Sequence, residues 1–117
     1  MPMCPGELAN AEKQRIYEVK GFILNHLEQQ FTIRQLARMA ALGRQKFRDG
    51  FFQLFEINAG EYVHEARMQT GKFLLTKTDK SIKEIAILCG YSKARNFSSA
   101  YRKYFEIRPR DEKSRER

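Results

Sequence analysis

Residues 32–57 read TIRQLARMAALGRQKFRDGFFQLFEI, and residues 81–107 read SIKEIAILCGYSKARNFSSAYRKYFEI. The two stretches repeat one pattern, at an offset of 49 in their first halves and of 50 in their second halves. The second copy therefore has one more residue in its turn. An internal repeat of this length indicates a duplicated supersecondary unit. The matched pairs are Thr32 and Ser81, Ile33 and Ile82, Leu36 and Ile85, Ala37 and Ala86, Phe47 and Phe97, Phe51 and Tyr101, Phe55 and Phe105, and Ile57 and Ile107.

Each copy is predicted to be a short helix, a tight turn and a second helix. Thr32 and Ser81 are followed three residues later by Gln35 and Glu84, which is the spacing of a capping box at a helix start. Aromatic residues at every fourth position bury one face of the second helix and leave its polar face free. This is the helix-turn-helix arrangement, in which the second helix enters the major groove of DNA. Gly90 is expected to take an awkward backbone angle in the second turn.

The rest of the chain is also predicted to be helical. Apolar spacing predicts a helix from about Asn10, as its N-cap, to Gln29, and another over Glu61–Thr76. The expected buried stripe of that second helix is Tyr62, Ala66, Phe73 and Leu74. Pro109 is expected to close the last aromatic helix. The prediction is an all-α fold of about seven helices, divided into a lead-in (1–10), a first helix-turn-helix subdomain (11–57), a central linker helix (58–78), a second helix-turn-helix subdomain (79–112) and a solvated tail (113–117).

Charge and composition narrow the classes of partner. The 117 residues have a formal net charge of +8, of which residues 1–30 contribute −1 and residues 31–117 contribute +9. Such an asymmetry favours a polyanion as partner. Without an apolar run long enough for a membrane-spanning helix, or a secretory signal, a cytoplasmic location is expected. Cys4 and Cys89 lack metal-ligand spacing, so no metal or cofactor is predicted and Cys89 is expected in the core.

The second repeat, with Arg67 and Leu74–Leu75 before it and Pro109 after it, follows a known pattern. On these residues the sequence resembles the DNA-binding domain of AraC/XylS-type bacterial transcription regulators, most specifically in its second half. The resemblance covers about residues 12–112 and implies two units, joined by a central helix, that dock in successive major grooves on one face of DNA. Residues 46–55 (KFRDGFFQLF) and 62–68 (YVHEARM) look like the branch that responds to iron–siderophore complexes. The residues that carry the family signature are Arg67, Leu74, Leu75, Ile82, Ile85, Ala86, Gly90, Tyr91, Ser92, Phe97, Tyr101 and Pro109.

The same resemblance implies the residues that contact DNA. The candidates for base contact are Gln45, Arg48 and Asp49 in the first copy and Ala94, Arg95, Asn96 and Ser99 in the second. The candidates for phosphate contact are Arg44, Lys46, Lys93, Arg102 and Lys103. Glu56 and Glu106 stand where the family usually has glycine, so different helix ends are expected there. Gly43 replaces the usual serine cap, and Gly50 lies inside a helix, where it should cost ~1 kcal/mol relative to alanine.

These observations predict sequence-specific binding of double-stranded DNA by a monomer, with RNA polymerase as a further partner that the resemblance implies. The alternative is a sequence-indifferent nucleic-acid-binding module or a helical protein-interaction module. An enzyme is not expected, because Glu61, His64 and Glu65 are more typical of a solvated helix face than of a catalytic site. Family members often carry a separate sensor domain, for which 117 residues leave no room. A stand-alone regulator and the C-terminal part of a longer protein both remain open.

Overall fold

The computed structural model describes residues 8–115, which contain seven α-helices and no β-strand. This confirms the all-α prediction. Cys4 and most of the predicted lead-in lie outside the described residues. The helices are α1 (Asn10–Asn25), α2 (Ile33–Met39), α3 (Arg44–Phe55), α4 (Ala59–Lys77), α5 (Ile82–Leu88), α6 (Ala94–Phe105) and α7 (Pro109–Arg115).

The two predicted capping boxes are present at the starts of α2 and α5. The hydroxyl of Thr32 accepts the backbone N–H of Gln35 at 3.1 Å, and the side chain of Gln35 accepts the N–H of Thr32 at 2.9 Å. Ser81 and Glu84 make the same pair of bonds, at 3.1 and 3.2 Å. Because these bonds satisfy N–H groups that the helix leaves unpaired, both helices begin where the sequence predicts.

The described chain forms two compact units. The first comprises the residues through His26 together with Phe31–Val63, and the second comprises Leu27–Gln30 with the chain from His64 onward. Helix α4 is thus divided between the two. The core of the first unit is apolar and comes from α1, α2, α3 and their flanks: Leu8, Ile16, Val19, Ile23, Leu36, Ala37, Ala40, Phe47, Phe51 and Ala59.

The second unit has a core of seven buried residues from α4, α5, α6 and the turn after α5. Cys89 is among them, as predicted, and burial raises the pKa of its thiol to about 11. A thiol held in apolar surroundings at this pKa stays protonated near neutral pH. The seven residues are Met68, Leu75, Ile85, Ala86, Cys89, Phe97 and Tyr101.

Gly50 lies close to two apolar side chains in the first unit, whose ends an added Cβ would displace. A Cβ atom at Gly50 would lie 2.8 Å from Cδ1 of Ile16 and 3.0 Å from both terminal carbons of Leu8. Leu8 is buried, although the sequence assigned it to an irregular lead-in. A glycine inside α3 destabilises the helix itself, but it lets Leu8 and Ile16 pack closely against α3.

Both predicted boundaries of α1 differ from the structure. Asn10 is the first residue of α1 and Ala9 is its N-cap, with the side chain of Glu12 accepting the Ala9 N–H at 2.8 Å. Helix α1 ends at Asn25, not at Gln29, and Leu27–Gln30 belong to the second unit. The N-cap assignment is wrong because a carboxylate three residues into the helix satisfies the orphan N–H without a polar cap residue.

The predicted stripe on α4 is wrong in part. Ala66 is buried, but the side chain of Phe73 is 60% exposed, while Met68 and Leu75 are fully buried. All four of these residues belong to the second unit. There the buried face of α4 follows Met68, Gly71 and Leu75, which are spaced three and four residues apart, and Phe73 lies off that face.

The ends of α3 and α6 are alike, contrary to the expectation raised by their glutamates. Glu56 and Glu106 both adopt left-handed backbone angles, with φ of 58° and 62°. Their N–H groups bond to the carbonyls of Phe52 and Arg102, at 2.7 and 2.8 Å. Each helix is closed by this single backbone bond, which is the usual left-handed ending.

Pro109 begins a helix instead of closing one. Helix α6 has already ended at Phe105, and Pro109 is the first residue of α7, where a proline's missing N–H costs nothing. Helix α7 continues to Arg115, so residues that the sequence assigned to a tail are helical. Glu112 is buried, and the Tyr101 hydroxyl donates to it at 2.7 Å, which holds α7 against α6.

Candidate nucleic-acid interface

Helix α3 presents most of its predicted DNA-contact residues to solvent. Its N-cap is Gly43, as predicted, in an extended conformation with φ of −68°. Phe47 and Phe51 are fully buried and fix which face of α3 is turned away from solvent. The candidates that are exposed on the opposite face are Arg44, Gln45, Arg48 and Asp49.

Two contacts within the first unit engage candidates on α3. The ammonium of Lys46 lies 2.8 Å from a carboxylate oxygen of Glu12, and this bond lowers the pKa of Glu12. The side-chain amide of Gln45 donates to Asp49 at 2.9 Å, one turn further along α3. Lys46 is thus already paired with α1, and Gln45 and Asp49 form one hydrogen-bonded polar surface.

Helix α6 has a freer polar face. Lys93 is its N-cap residue, and Ala94 is half-buried against the core of the second unit. Within residues 8–115, no side-chain hydrogen bond or ion pair engages the remaining candidates. Those candidates, all exposed, are Lys93, Arg95, Asn96, Ser99, Arg102 and Lys103.

Contacts from outside the repeat fix the turn that precedes α6. Gly90 has a φ of 88°, and a Cβ atom there would lie 2.5 Å from the carbonyl oxygen of Leu27. The side chain of Gln30 donates to the Gly90 carbonyl at 2.6 Å, and Nη2 of Arg67 donates to the Gln29 carbonyl at 2.7 Å. Partial burial lowers the pKa of Arg67. The segment 27–30 and Arg67 therefore support this turn.

The turn of the first unit also contains a residue with positive φ, but a different side chain fixes it. Ala41 occupies the position that matches Gly90, with φ of 55°. Leu42 N–H bonds to the Ala37 carbonyl at 2.9 Å, and the matching bond from Tyr91 to Ala86 is 2.8 Å long. Here the guanidinium of Arg15 donates to the carbonyl of Ala40 at 2.7 Å. In each unit, a side chain from outside the repeated pattern therefore fixes the turn before the second helix: Arg15 before α3 and Gln30 before α6.

Four arginines outside the predicted contact set border two cavities beside α3 and α6: Arg34, Arg38, Arg108 and Arg110. An open groove of about 470 Å³ lies between α2 and the start of α3, and Arg34, Arg38 and Arg44 line it. A cavity of about 280 Å³ lies beside α6, and Arg102, Arg108 and Arg110 line it. Arg34 and Arg38 are four residues apart and so share one face of α2, and this spacing is a signal in the sequence that could have identified them.

A family model described as "Helix-turn-helix domain" matches residues 36–115, more than half of the chain. A solved transcriptional regulator from Chromobacterium violaceum, of the proteins with an AraC-type DNA-binding domain, has 27% sequence identity to the chain and a TM-score of 0.78. The chain belongs to the AraC-type helix-turn-helix family. It is a DNA-binding domain of the kind that acts in transcription regulation. The Chromobacterium comparison covers 92% of this chain and 96% of that one.

Other relatives are regulators of the same type. The transcriptional regulator ArgR of Pseudomonas aeruginosa is 30% identical over 92 residues, which are 79% of this chain and 28% of ArgR. The activator RhaS of Klebsiella pneumoniae is 24% identical over 105 residues, 90% of this chain and 38% of RhaS. The AraC-type chain thus spans well under half of the length of these curated relatives.

A relative has also been solved with DNA. The DNA-binding domain of the global transcriptional factor AdpA, in complex with a target DNA, has 25% sequence identity and a TM-score of 0.80. That comparison covers 86% of this AraC-type chain and 90% of the AdpA chain.

None of the helices α1–α7 has the length and apolar content to cross a membrane. Residues 8–115 also contain no group of histidine, cysteine, aspartate or glutamate side chains that could hold a metal ion.

Proposed function

We propose that this chain binds a specific sequence of duplex DNA by inserting α3 and α6 into two successive major grooves. The observation that carries the proposal is the duplicated unit itself. Each copy buries the aromatic face of its second helix and exposes a polar face that includes an arginine, Arg48 in α3 and Arg95 in α6. The likeness to the AdpA domain, which was solved with its target DNA, supports the proposal.

The proposed base contacts follow from side-chain chemistry. Arg48 and Arg95 can each donate two hydrogen bonds to guanine, Asn96 can pair with adenine, and Asp49 can accept from cytosine. The hydrogen bond from Gln45 to Asp49 pre-orients both side chains. Ser99 and Ala94 complete the proposed base contacts, Ala94 by its methyl group. The proposed phosphate contacts are Arg44, Lys46, Lys93, Arg102 and Lys103.

The wider biology of the chain is part of the same proposal. We propose that it acts in the bacterial cytoplasm, as a monomer on DNA, with RNA polymerase as a further partner and with neither catalytic activity nor a cofactor. A monomer suffices because one chain carries two reading units. Names of relatives such as the activator RhaS support a role in transcription.

A narrower assignment rests on two local stretches. Residues 46–55 and 62–68 look like the siderophore-responsive branch of the family, and we propose that the chain regulates genes of iron acquisition. Binding sites of the chain upstream of iron-repressed transport genes would support this assignment. Sites placed without regard to such genes would contradict it.

The decisive experiment is selection of binding sequences from random duplexes at about 150 mM salt, a concentration that weakens nonspecific phosphate binding. The expected product is an asymmetric motif with two boxes about one helical turn apart. No enrichment would overturn the proposal and favour a sequence-indifferent binder or a protein-interaction module. An indifferent binder would lose nearly all of its affinity at this salt concentration, whereas a specific one keeps a preference of about 10³ or more.

A further inference from the structure

Three arginines line an open groove at the corner between α2 and α3. Its volume is about 470 Å³, and Arg34, Arg38 and Arg44 line it, together with Ala37, Leu42 and Gly43. Arg34 and Arg38 lie one turn apart on α2, and Arg44 is the first residue of α3. Three guanidinium groups from two helices therefore border one concave surface.

The three arginines have no internal partner to neutralise them. All three are exposed, and within residues 8–115 none of their side chains forms a hydrogen bond or an ion pair. Lys46, by contrast, is held by Glu12 at 2.8 Å. Like charges in one groove repel each other, so an unneutralised cluster gains the most from an anionic ligand.

The second unit lacks this cluster at the matching place. The residues that correspond to Arg34 and Arg38 at the offset of 49 are Lys83 and Ile87. A basic cavity in the second unit lies beside α6 and α7, where Arg102, Arg108 and Arg110 line it. The groove is thus a property of the first unit and not of the repeated pattern.

We propose that Arg34 and Arg38 each bind a backbone phosphate of DNA next to the box that α3 reads. This inference rests on the proposed function and extends the contact of the first unit from α3 to α2. Guanidinium groups match phosphate oxygens with paired hydrogen bonds. The proximity of Arg44 places the pair beside the start of the recognition helix, where backbone phosphates flank the major groove.

A phosphodiester chain fits this groove better than a free phosphate ion. The groove is open to solvent, where screening weakens a single ionic contact. DNA offers phosphates at fixed spacing, and each one that is neutralised releases a condensed counterion. The ligand is therefore DNA, and inorganic phosphate is the probe that distinguishes a small-anion site.

The test compares the wild type with R34A/R38A on the selected duplex and on a random duplex, with affinity measured from about 0.1 to 0.4 M salt. Loss of two phosphate contacts lowers the magnitude of the slope of log K against log salt by about 2 and weakens binding roughly thirtyfold near 0.15 M salt. Both duplexes should be affected alike, and the selected motif should stay unchanged, because phosphates carry no sequence information. R34K/R38K retains the charges and should retain most of the slope.

A control variant, K13A/K77A, removes the same charge from positions that line neither arginine cavity, and it should leave the slope nearly unchanged. Unchanged slope and affinity in folded R34A/R38A would overturn the inference, as would an equal loss in the control. If about 10 mM inorganic phosphate displaced the wild type from the duplex but did not displace R34A/R38A, the inference would also be overturned, in favour of a small-anion site. A wild type that selects no sequence would instead contradict the proposed function.

Discussion

The two helix-turn-helix turns share a left-handed backbone position but have different residues there. Ala41 in the first turn and Gly90 in the second both have positive φ, 55° and 88°. Ala41 is exposed, so its methyl group has room. At Gly90 a Cβ would lie 2.5 Å from the Leu27 carbonyl and 2.8 Å from Nε of Arg67. The left-handed angle alone thus tolerates alanine, whereas close approach of another segment requires glycine.

The two recognition helices, α3 and α6, also differ in where their basic residues lie. Helix α6 carries Arg102 and Lys103 in its last turn, where positive charge complements the helix dipole. Helix α3 carries no basic residue there, and Phe52, which matches Arg102, is 57% exposed. The basic residues of the first unit lie at the other end of its recognition helix, on α2 and at the start of α3. The first copy therefore has its basic residues near the start of α3, whereas the second has them at both ends of α6, with Lys93 and Arg95 at the start.

The largest expected effect is that of Gly90→Ala. The added Cβ meets a backbone oxygen that cannot move without displacing segment 27–30, and alanine in the left-handed region itself costs about 1–2 kcal/mol. We expect a loss of about 3 kcal/mol or more in the free energy of unfolding, measured by urea denaturation.

Gly21→Ala is the matched control for this change. Nothing lies within 4 Å of a Cβ at Gly21, which is inside α1. That substitution should stabilise the protein by about 0.5–1 kcal/mol. A Gly90→Ala variant as stable as the wild type would show that segment 27–30 yields easily and that the two turns do not differ in this way.

The next effect concerns the two reading helices. Arg95→Ala should weaken binding to the selected duplex by about 1–3 kcal/mol and relax sequence preference in one box only. Arg48→Ala should relax the other box. The measurement is selection repeated with each variant. Loss of preference in both boxes from a single substitution would contradict independent reading by α3 and α6.

A third prediction compares how each unit joins its recognition helix to the helix that follows. In the first unit Phe51 packs on Tyr62, with ring centroids 5.6 Å apart. At the matching positions of the second unit, Tyr101 donates a hydrogen bond to buried Glu112 at 2.7 Å. Tyr101→Phe leaves the Glu112 carboxylate without this donor, so it should cost about 1–3 kcal/mol in urea denaturation.

The same pair gives the stability a pH dependence. Burial and the neighbouring Glu112 raise the pKa of Tyr101 well above its ordinary value. The unfolded chain therefore loses this proton first, and stability that is complete below pH ~10 falls as the pH rises further. Tyr101→Phe should remove this part of the alkaline loss. Tyr104→Phe, a change at an exposed ring on the same helix, should alter neither quantity.

Local patterns in the sequence predicted the fold where the interactions themselves are local. The capping boxes at Thr32 and Ser81 involve residues three apart, and both are present. The predicted stripe on α4 was wrong at Phe73 because the buried face there follows Met68, Gly71 and Leu75. Apolar residues lie on more than one side of α4, and their spacing alone does not show which side meets the core. The left-handed Glu56 and Glu106 were missed because residue preference outweighed the backbone bond that closes each helix.

The sequence predicted the candidate site from the exposed faces of two helices. It could not predict which of the candidate side chains are paired with acidic residues, because that pairing depends on tertiary structure. Exposure of Arg95 follows from the aromatic spacing on α6. The pairing of Lys46 with Glu12 joins α3 to α1, and no spacing in the sequence indicates it. The predicted contacts omit Arg34 and Arg38 because the family resemblance implies contacts from α3 and α6. The groove also involves α2.

The smallest expected effect reverses the difference between the two turns. Ala41→Gly relieves the left-handed strain of about 1–2 kcal/mol but adds the conformational entropy of glycine in the unfolded chain, about 0.5–1 kcal/mol. The net result should be stabilisation by up to about 1 kcal/mol, seen as a rise of roughly 2–4 °C in the melting temperature. Ala11→Gly, at an exposed position in α1, should destabilise instead, because no positive φ offsets the entropy there. Equal losses from both substitutions would mean that Ala41 is not strained, and then only the crowding at Gly90 would distinguish the two turns.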